Sequence, residues 1–417
     1  MVKPARVNGP EAIGPLVKWT LRDWIDPRRV GWMRVLLAFV PVAVIGSFGG
    51  ARPIVVFILS AIAIIPLAGL IGEATEALAH KMGPGIGGLL NATFGNAAEL
   101  IIALFALFKG YDNVVKASLT GSIIGNLLLV LGASLLAGGI RHRVQRFNKT
   151  AAGSGATLMV LAAMGMVIPA IFHRLVGEGE TYAEHGLSLS VSLILVLAYS
   201  LNLLFSLVTH KDLYNPKNVD ADAEMNDGAV TSTRHSVAKL LISTLFVAWM
   251  SEILVGTVDE ASRALGLTEV FIGVVVVAIV GNAAEHSTAV IMAWKNQADL
   301  AVGIAMSSAL QIALFVAPML VFVSYLRPQP MDLLFTPMEV AAVILAVILA
   351  RMVSEDGESN WLEGAMLLMI YAILATAFFF LPKEYRALER DKAAAAVETR
   401  ELICLQAVSR SRIHGNG

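Results

Sequence analysis

Long apolar runs, separated by short polar or glycine-containing stretches, recur along most of the chain. Eleven of them suit the roughly 18–20 residues that carry a helix across a bilayer. They cover 33–49, 54–80, 86–109, 114–140, 152–174, 187–209, 236–266, 269–294, 298–326, 335–353 and 360–382. The runs are long and do not alternate apolar with polar positions, which excludes a transmembrane barrel. A backbone in lipid must satisfy its own hydrogen bonds, so each run predicts a helix. Several runs exceed the hydrocarbon thickness, which predicts tilts or kinks. The expected fold is an all-α polytopic membrane protein with about eleven transmembrane helices.

A duplication lies inside this pattern. The pentapeptide Gly-Asn-Ala-Ala-Glu occurs at Gly95–Glu99 and again at Gly281–Glu285, an offset of 186 residues (281 − 95). The same offset takes Gly87 to Gly273, Glu73 to Asp259 and Ser122 to Ser308. Each copy runs from an acidic helix through a short glycine-containing turn into the pentapeptide helix, then a turn, then a serine-bearing helix. The turn after the first motif is Lys109–Asp112 and after the second Lys295–Asp299. Matching flanks argue against a chance match in an Ala- and Gly-rich chain. About five helices per half, an odd number, inverts one half relative to the other, the plan of many secondary transporters. The chain then divides into an N-terminal segment (1–32), an extra first helix (33–53), a first five-helix repeat (54–209), an acidic linker (210–235), a second five-helix repeat (236–382) and a C-terminal tail (383–417).

Composition agrees. Hydrophobic residues make up 57% of the chain and charged residues 15%, against about 25% charged in soluble domains. Basic residues set orientation. Arg22, Arg28, Arg29 and Arg34 flank the first span, the loop from Arg141 to Lys149 follows four crossings later, and Lys295 falls on the same side. This predicts a cytoplasmic N-terminus and linker. Eleven crossings then put the C-terminus outside, although Lys383, Arg386, Arg390, Lys392, Arg400, Arg410 and Arg412 lie in the tail; late charges steer weakly. The first apolar run begins too deep, with the wrong flanks, for a cleaved signal peptide. The single cysteine, Cys404, excludes an internal disulfide. The net charge of −1 carries no information about partners, and no basic cluster resembles a nucleic-acid site.

A carboxylate in an apolar run needs an explanation. Asn96 and Glu99 are three apart and share a helix face, with Gly95 one turn before Glu99. Glycine weakens the helix and admits a close backbone neighbour. A kink at Gly95-Asn96 would free carbonyl oxygens for a cation. Gly281, Asn282 and Glu285 are expected to do the same in the second copy. With hydroxyls from Ser122 and Ser308 the ligand set is oxygen-only, which suits calcium, magnesium or sodium rather than zinc or copper. Two negative charges favour a divalent ion, and irregular geometry favours calcium. An empty buried pair of carboxylates is costly, and protonation removes that cost. Calcium and protons therefore compete for one site. His286 lies about 100° round the helix from Glu285 and reads as a packed histidine rather than a ligand.

Gly87–Leu104 and Ile279–His286, together with Ser118–Gly132 and Gln311–Phe315, resemble the signature segments of the calcium/proton exchangers of the cation/calcium antiporter superfamily. The resemblance covers roughly residues 55–380. It implies ten core helices in two inverted halves plus one extra helix, and export of cytosolic calcium in exchange for protons by alternating access. It makes Glu99 and Glu285 the central calcium ligands with Asn96 and Asn282 beside them, while Ser122, Ser308 and Gln311 support the site or line the path. Where such exchangers often carry Gly-Ser-Ser-Thr-Gln, this chain has Ser307-Ser-Ala-Leu-Gln311, so hydroxyls are lost at Ala309 and Leu310. That bears on affinity and selectivity, not on the reaction class.

Other acids complete the picture. By the resemblance Glu73 and Glu252, and less strongly Glu76 and Asp259, relay protons or line the cation passage; the plainer reading is that they meet water near helix ends. Glu339 and Glu363 are expected at the membrane interface. The linker acids Asp212, Asp220, Asp222, Glu224 and Asp227 read as a solvated loop ahead of a regulatory cation or proton sensor, there being no EF-hand pattern. Glu178, Glu180 and Glu184 form an outer acidic loop. No GxxxxGK[ST], HExxH or nucleophile motif appears, so neither an ATP-driven pump nor an enzyme is expected, and no cofactor is called for. The partners expected are Ca2+, H+ and the lipid bilayer, with a homo-oligomer left open. Sodium/calcium exchange and a cation channel are the alternatives. A prokaryotic plasma membrane is the expected location, with a vacuolar membrane as the second choice.

Overall fold

The computed structural model describes residues 32–176, 181–210 and 233–381. The expectations placed on the N-terminal segment, on Glu178 and Glu180, on the linker from 211 to 232 and on the C-terminal tail with Cys404 lie outside the described residues.

In the first half, a 3-10 stretch over Trp32–Ala38 leads into α1 (Phe39–Phe48). Then come α2 (Pro53–Phe94), α3 (Ala97–Phe108), α4 (Asp112–Ile124) and α5 (Leu131–Arg141), the last two joined by a π-helical turn at Gly125–Val130. Two long helices, α6 (Lys149–Val176) and α7 (Thr181–Leu204), close that half. In the second half α8 (Thr233–Gly256) and α9 (Val258–Leu265) precede one helical turn at Glu269–Phe271, a π turn at Ile272–Val277 and α10 (Ala278–Trp294). The half ends with α11 (Ala298–Gln311), a π turn at Ile312–Val316, α12 (Ala317–Ser324), α13 (Pro337–Val353) and α14 (Trp361–Phe379). Among the described residues eight helical runs are long and apolar enough to cross a membrane, and Val35–Phe48 and Ala97–Phe108 are shorter apolar helices.

Three expected boundaries move. The turn expected near 81–85 is helical, since hydrogen bonding continues over Pro53–Phe94. The run is nevertheless not straight. A Cβ on Gly87 would lie 2.4 Å from the Ala79 carbonyl oxygen, whereas eight residues of straight helix rise about 12 Å. The expected span 236–266 is broken at Thr257 into α8 and α9. The first span begins in a 3-10 stretch and is short.

The duplication survives in local backbone geometry. Gly110 (φ 81) and Asn296 (φ 66) stand 186 residues apart, and both are left-handed. Glycine pays no steric penalty there, and asparagine is among the few other residues that tolerate the region. Around Gly110, Tyr111 N donates to Ala106 O at 2.9 Å and Gly110 N to Leu107 O at 3.0 Å. Around Asn296, Gln297 N donates to Met292 O at 2.9 Å and Asn296 N to Ala293 O at 3.0 Å. Both pairs follow the same helix-closing pattern, one bond nested in the other. The π turns Gly125–Val130 and Ile312–Val316 also overlap under the offset, ending at equivalent residues.

Packing follows the same relation. The opening helices of the halves, α2 and α8, pack extensively on each other, as do α6 and α13. The spans Asp112–Arg141 and Ala298–Ser324 are each 72% buried, against 17% for Tyr182–Thr209 and 22% for Trp361–Phe379. The serine-bearing helices therefore form the centre, and the sparsely covered ones lie outside. Glycines allow the tightest contacts: a Cβ on Gly121 would lie 2.1 Å from Val274 O, and one on Gly364 2.3 Å from Leu136 N.

The connections gather at two ends. At one, Arg141 lies over the Trp294 ring at 5.5 Å, and β1 (Gln145–Arg146) pairs antiparallel with β2 (Glu358–Ser359). There Arg146 also meets Glu358 at 3.0 Å and the Asn148 amide donates to Asp299. At the other, Arg327 Nη2 donates to Asp112 Oδ2 at 2.8 Å, Tyr111 to Asp259 at 2.9 Å, and Tyr325 to the His185 carbonyl at 3.4 Å. Arg141–Lys149 and Lys295 thus share an end.

Candidate functional site

Identical pentapeptides are handled differently by the two halves. In the first, the helix breaks at Gly95-Asn96, where Asn96 has φ −101 and ψ 31, and α3 starts at Ala97. Glu99 therefore stands in the first turn of a helix, where unpaired amides favour a carboxylate. In the second half Gly281-Asn282 is continuous helix, and Glu285 is in the interior of α10. The kink expected at Gly281 is absent. The distortion sits upstream, in the π turn Ile272–Val277.

Around the two motifs, side chains of both halves form one hydrogen-bonded knot. Asn282 Nδ2 donates to Ser122 Oγ at 3.0 Å and to Ala278 O at 2.9 Å. Ser308 Oγ donates to Asn96 Oδ1 at 3.1 Å. Adding 186 to Asn96 and Ser122 gives Asn282 and Ser308, so these contacts are the two copies of one cross-repeat pair. Asn96, Asn282, Ser122 and Ser308 are all buried. Ser308 also lies beside Glu285, and Glu99 is within electrostatic reach of Glu285.

The glycines set how closely the halves meet. A Cβ on Gly281 would lie 2.9 Å from Glu99 Cγ, and one on Gly95 would lie 3.4 Å from Gln311 Oε1. Each motif glycine therefore faces a polar side chain of the other half. Three buried polar atoms here lack a hydrogen-bond partner within the described residues: Asn96 Nδ2, Asn126 Oδ1 and Glu285 Oε2. No group of three or more His, Cys, Asp or Glu comes together among the described residues, so the convergent donors are two carboxylates with amides and hydroxyls. His286 is half-buried, and its Nε2 is enclosed without a partner in the described structure.

The secondary acids lie elsewhere. Glu73 pairs with Lys239, its side chain 48% exposed. Glu252 is exposed and its carbonyl takes a 3.4 Å bond from Lys109 Nζ. Glu76 is exposed, and Asp259 is held by Tyr111 at one end of the molecule. Glu363 accepts from Ser359 beside β2, at a helix start. Glu339, expected at the interface, is instead fully buried. It closes a capping box with Thr336, whose amide and hydroxyl reach Oε2 at 2.8 and 2.7 Å, and Thr120 donates to Oε1 at 3.3 Å. Those donors make burial of the carboxylate tolerable. The residue overlooked in the sequence is Asn126, whose Nδ2 donates to Ser308 Oγ at 2.9 Å. Its only signal was an amide in an apolar stretch, Gly-Asn-Leu-Leu-Leu-Val.

The sodium/calcium exchanger protein family matches residues 52–208 and 235–380. The Ca(2+)/H(+) antiporter ChaA of Bacillus subtilis is 47% identical over 83% of this chain and 98% of its own. The Ca(2+)/H(+) antiporter of Synechocystis is 46% identical over 84% and 97% respectively. The solved structure of native YfkE superposes with a TM-score of 0.73 at 44% identity, covering 84% of this chain and all of that one.

Proposed function

We propose, from the premise that the chain belongs to the sodium/calcium exchanger protein family, that its work is done by the knot between the two repeats. The protein is a multi-pass membrane protein of a plasma or vacuolar membrane that exchanges Ca2+ for H+. Glu99 and Glu285 are the charge-bearing cation ligands, with Asn96, Asn282, Ser122 and Ser308 supplying or orienting further oxygens and Gln311 lining the path. The observation that carries this reading is the reciprocal pair of contacts, Ser308 to Asn96 and Asn282 to Ser122, that ties together the two motifs carrying Glu99, which is buried, and Glu285, which is half-buried.

Electrostatics ties the two ions together. Two ionised carboxylates away from water are costly unless neutralised. One divalent cation neutralises the pair, and so do two protons; hard oxygen donors suit calcium. Occupation by one ion excludes the other, and competition becomes exchange if only a neutralised site passes between the two faces. Export of cytosolic calcium by alternating access follows from that rule and an outside that is richer in protons. The first repeat brings a carboxylate at a helix N-terminus and the second one inside a helix, so the two ligands are not interchangeable. Glu73, Glu252 and Asp259, standing apart from the knot, serve the route of ions toward it. The apolar face of Tyr182–Thr209 is left for lipid or a second copy of the chain.

The test is calcium uptake by proteoliposomes under an imposed pH gradient, with sodium-gradient and no-gradient controls. Uptake driven by the proton gradient alone is expected. Uptake driven by sodium, or leak without a gradient, would contradict the assignment.

A further inference from the structure

We propose that Arg327 is a positioning residue for Glu99. It holds the far end of the short helix that carries this carboxylate, and so compensates for the helix break at Gly95-Asn96. Arg141 is its counterpart in the other half and grips the Glu285 helix more loosely. The inference rests on reading Glu99 and Glu285 as the cation ligands.

Arg141 and Arg327 stand 186 residues apart, as do Phe108 and Trp294, the last residues of the pentapeptide helices α3 and α10. Arg141 ends α5, and Arg327 follows α12, its amide donating to Ser324 O at 2.9 Å. Each arginine reaches the end of the opposite repeat's pentapeptide helix. Arg327 Nη1 donates to Leu107 O and meets Asp112 Oδ1 at 2.8 Å. Its Nη2 donates to Asp112 Oδ2 at 2.8 Å and to Gln329 O at 3.0 Å. Arg141 lies over the Trp294 ring at 5.5 Å. The exchange is reciprocal, with one contact at each end of the molecule.

The two grips differ in kind. The Arg327 fork makes charge-assisted bonds in a fixed plane, and its side chain is 11% exposed. It satisfies a terminal carbonyl of α3 and places a cation at the negative end of that helix. Asp112 opens α4, so one guanidinium ties both arms of the α3–α4 turn. Arg141 and Trp294 are both exposed, and the Trp294 carbonyl meets His142 Nε2 at a long 3.4 Å. A cation over an exposed ring holds weakly. The firmer grip falls where the backbone needs it. Helix α10 runs unbroken through Gly281-Asn282, so Glu285 is held from both sides. Helix α3 starts at Ala97 behind a break, so Glu99 in its first turn takes its place from the rest of α3. Leu107 is eight residues beyond Glu99, about 12 Å along the helix. A shift of that end is carried to the carboxylate.

The test measures the KM and Vmax for calcium in proton-driven uptake by proteoliposomes carrying Arg327→Ala, Arg327→Lys, Arg141→Ala or Glu99→Gln, with a thermal midpoint for each protein. Arg327→Ala is expected to raise the KM about tenfold, near the worth of one charge-assisted hydrogen bond, with Vmax changed less. A merely structural role would lower the Tm and Vmax and leave the KM alone. Arg327→Lys keeps the charge without the fork and is expected to recover part of the loss, leaving the KM about threefold above wild type. Arg141→Ala is expected to raise the KM about threefold at most. A wild-type KM for Arg327→Ala, or for Arg327→Lys if the alanine variant does not fold, would overturn the inference, as would an equal rise in Arg141→Ala. Failure of the underlying site reading looks different: Glu99→Gln would itself keep wild-type uptake.

Discussion

Glu99 lies directly against Gly281 of the opposite repeat: a Cβ at 281 would sit 2.9 Å from Glu99 Cγ and 3.3 Å from Cδ and Oε1. The glycine is required by the carboxylate it faces, not by its own backbone, which is ordinary helix. Gly281→Ala would displace the Glu99 side chain. Overpacking of this kind costs about 1–3 kcal/mol. Placed on a ligand, it should raise the calcium KM roughly tenfold or more, at 1.4 kcal/mol per decade. Transport kinetics and a thermal midpoint on the same preparation check this, with a monodisperse, folded protein expected.

The contact between Gly121 and Val274 is of another kind, because the obstacle to a Cβ is backbone at 2.1 Å. A carbonyl cannot swing aside like the end of a side chain. Gly121→Ala should therefore separate α4 from the π turn Ile272–Val277 and lower the Tm by many degrees. Gly303→Ala is the control, since a Cβ there meets nothing within 4 Å; it should leave the stability within about 0.5 kcal/mol of wild type and the Tm nearly unchanged.

Lys116 and Asp332 form an ion pair that fastens the segment between α12 and α13 onto α4, with a 2.9 Å bond from the Leu334 amide to the same carboxylate. Burial alone would raise the Asp332 carboxyl, but the Lys116 ammonium outweighs it and holds the group below its ordinary range, assisted by Leu334 and by the charge of His185. A depressed carboxyl contributes stability that is full above its unfolded value, about 3.9, and is lost as pH falls through the folded value. Wild-type protein should lose Tm below about pH 4. Asp332→Asn should lack that component and be about 3 kcal/mol less stable at neutral pH, because Lys116 is left buried and unpaired. Melting curves across pH distinguish the two proteins.

If protons and calcium share one pair of carboxylates, acid must weaken apparent calcium affinity. The KM for calcium should rise as pH is lowered on the calcium-loading side, with Vmax recovered at saturating calcium. Initial rates at several pH values, with the gradient held constant, check this. A falling Vmax at unchanged KM would place the proton elsewhere.

Much of this was readable in the sequence, for identifiable reasons. Apolar runs announce helices because lipid leaves the backbone no other partner, and the 186-residue offset pairs Gly110 with Asn296 and Ser122 with Ser308 as the structure does. Distortion was less legible. Gly-Asn-Ala-Ala-Glu is broken helix at Gly95-Asn96 and unbroken helix at Gly281-Asn282, so the same residues yield to different surroundings. The π turns have no local signature of their own. Glu339 misled because an acid near a helix end usually meets water, whereas here Thr336 and Thr120 satisfy it in the interior. Asn126 was hidden for a related reason: its partners are more than 150 residues away.

The central claim is that one site is made from one carboxylate of each repeat. It is tested most directly by proton-driven calcium uptake in proteoliposomes containing Glu99→Gln, Glu285→Gln and the double variant. Loss of exchange in either single variant, with the double no worse and all three proteins folded, is the predicted result. Retention of half or more of the wild-type activity in both single variants would mean two independent sites, and would contradict it.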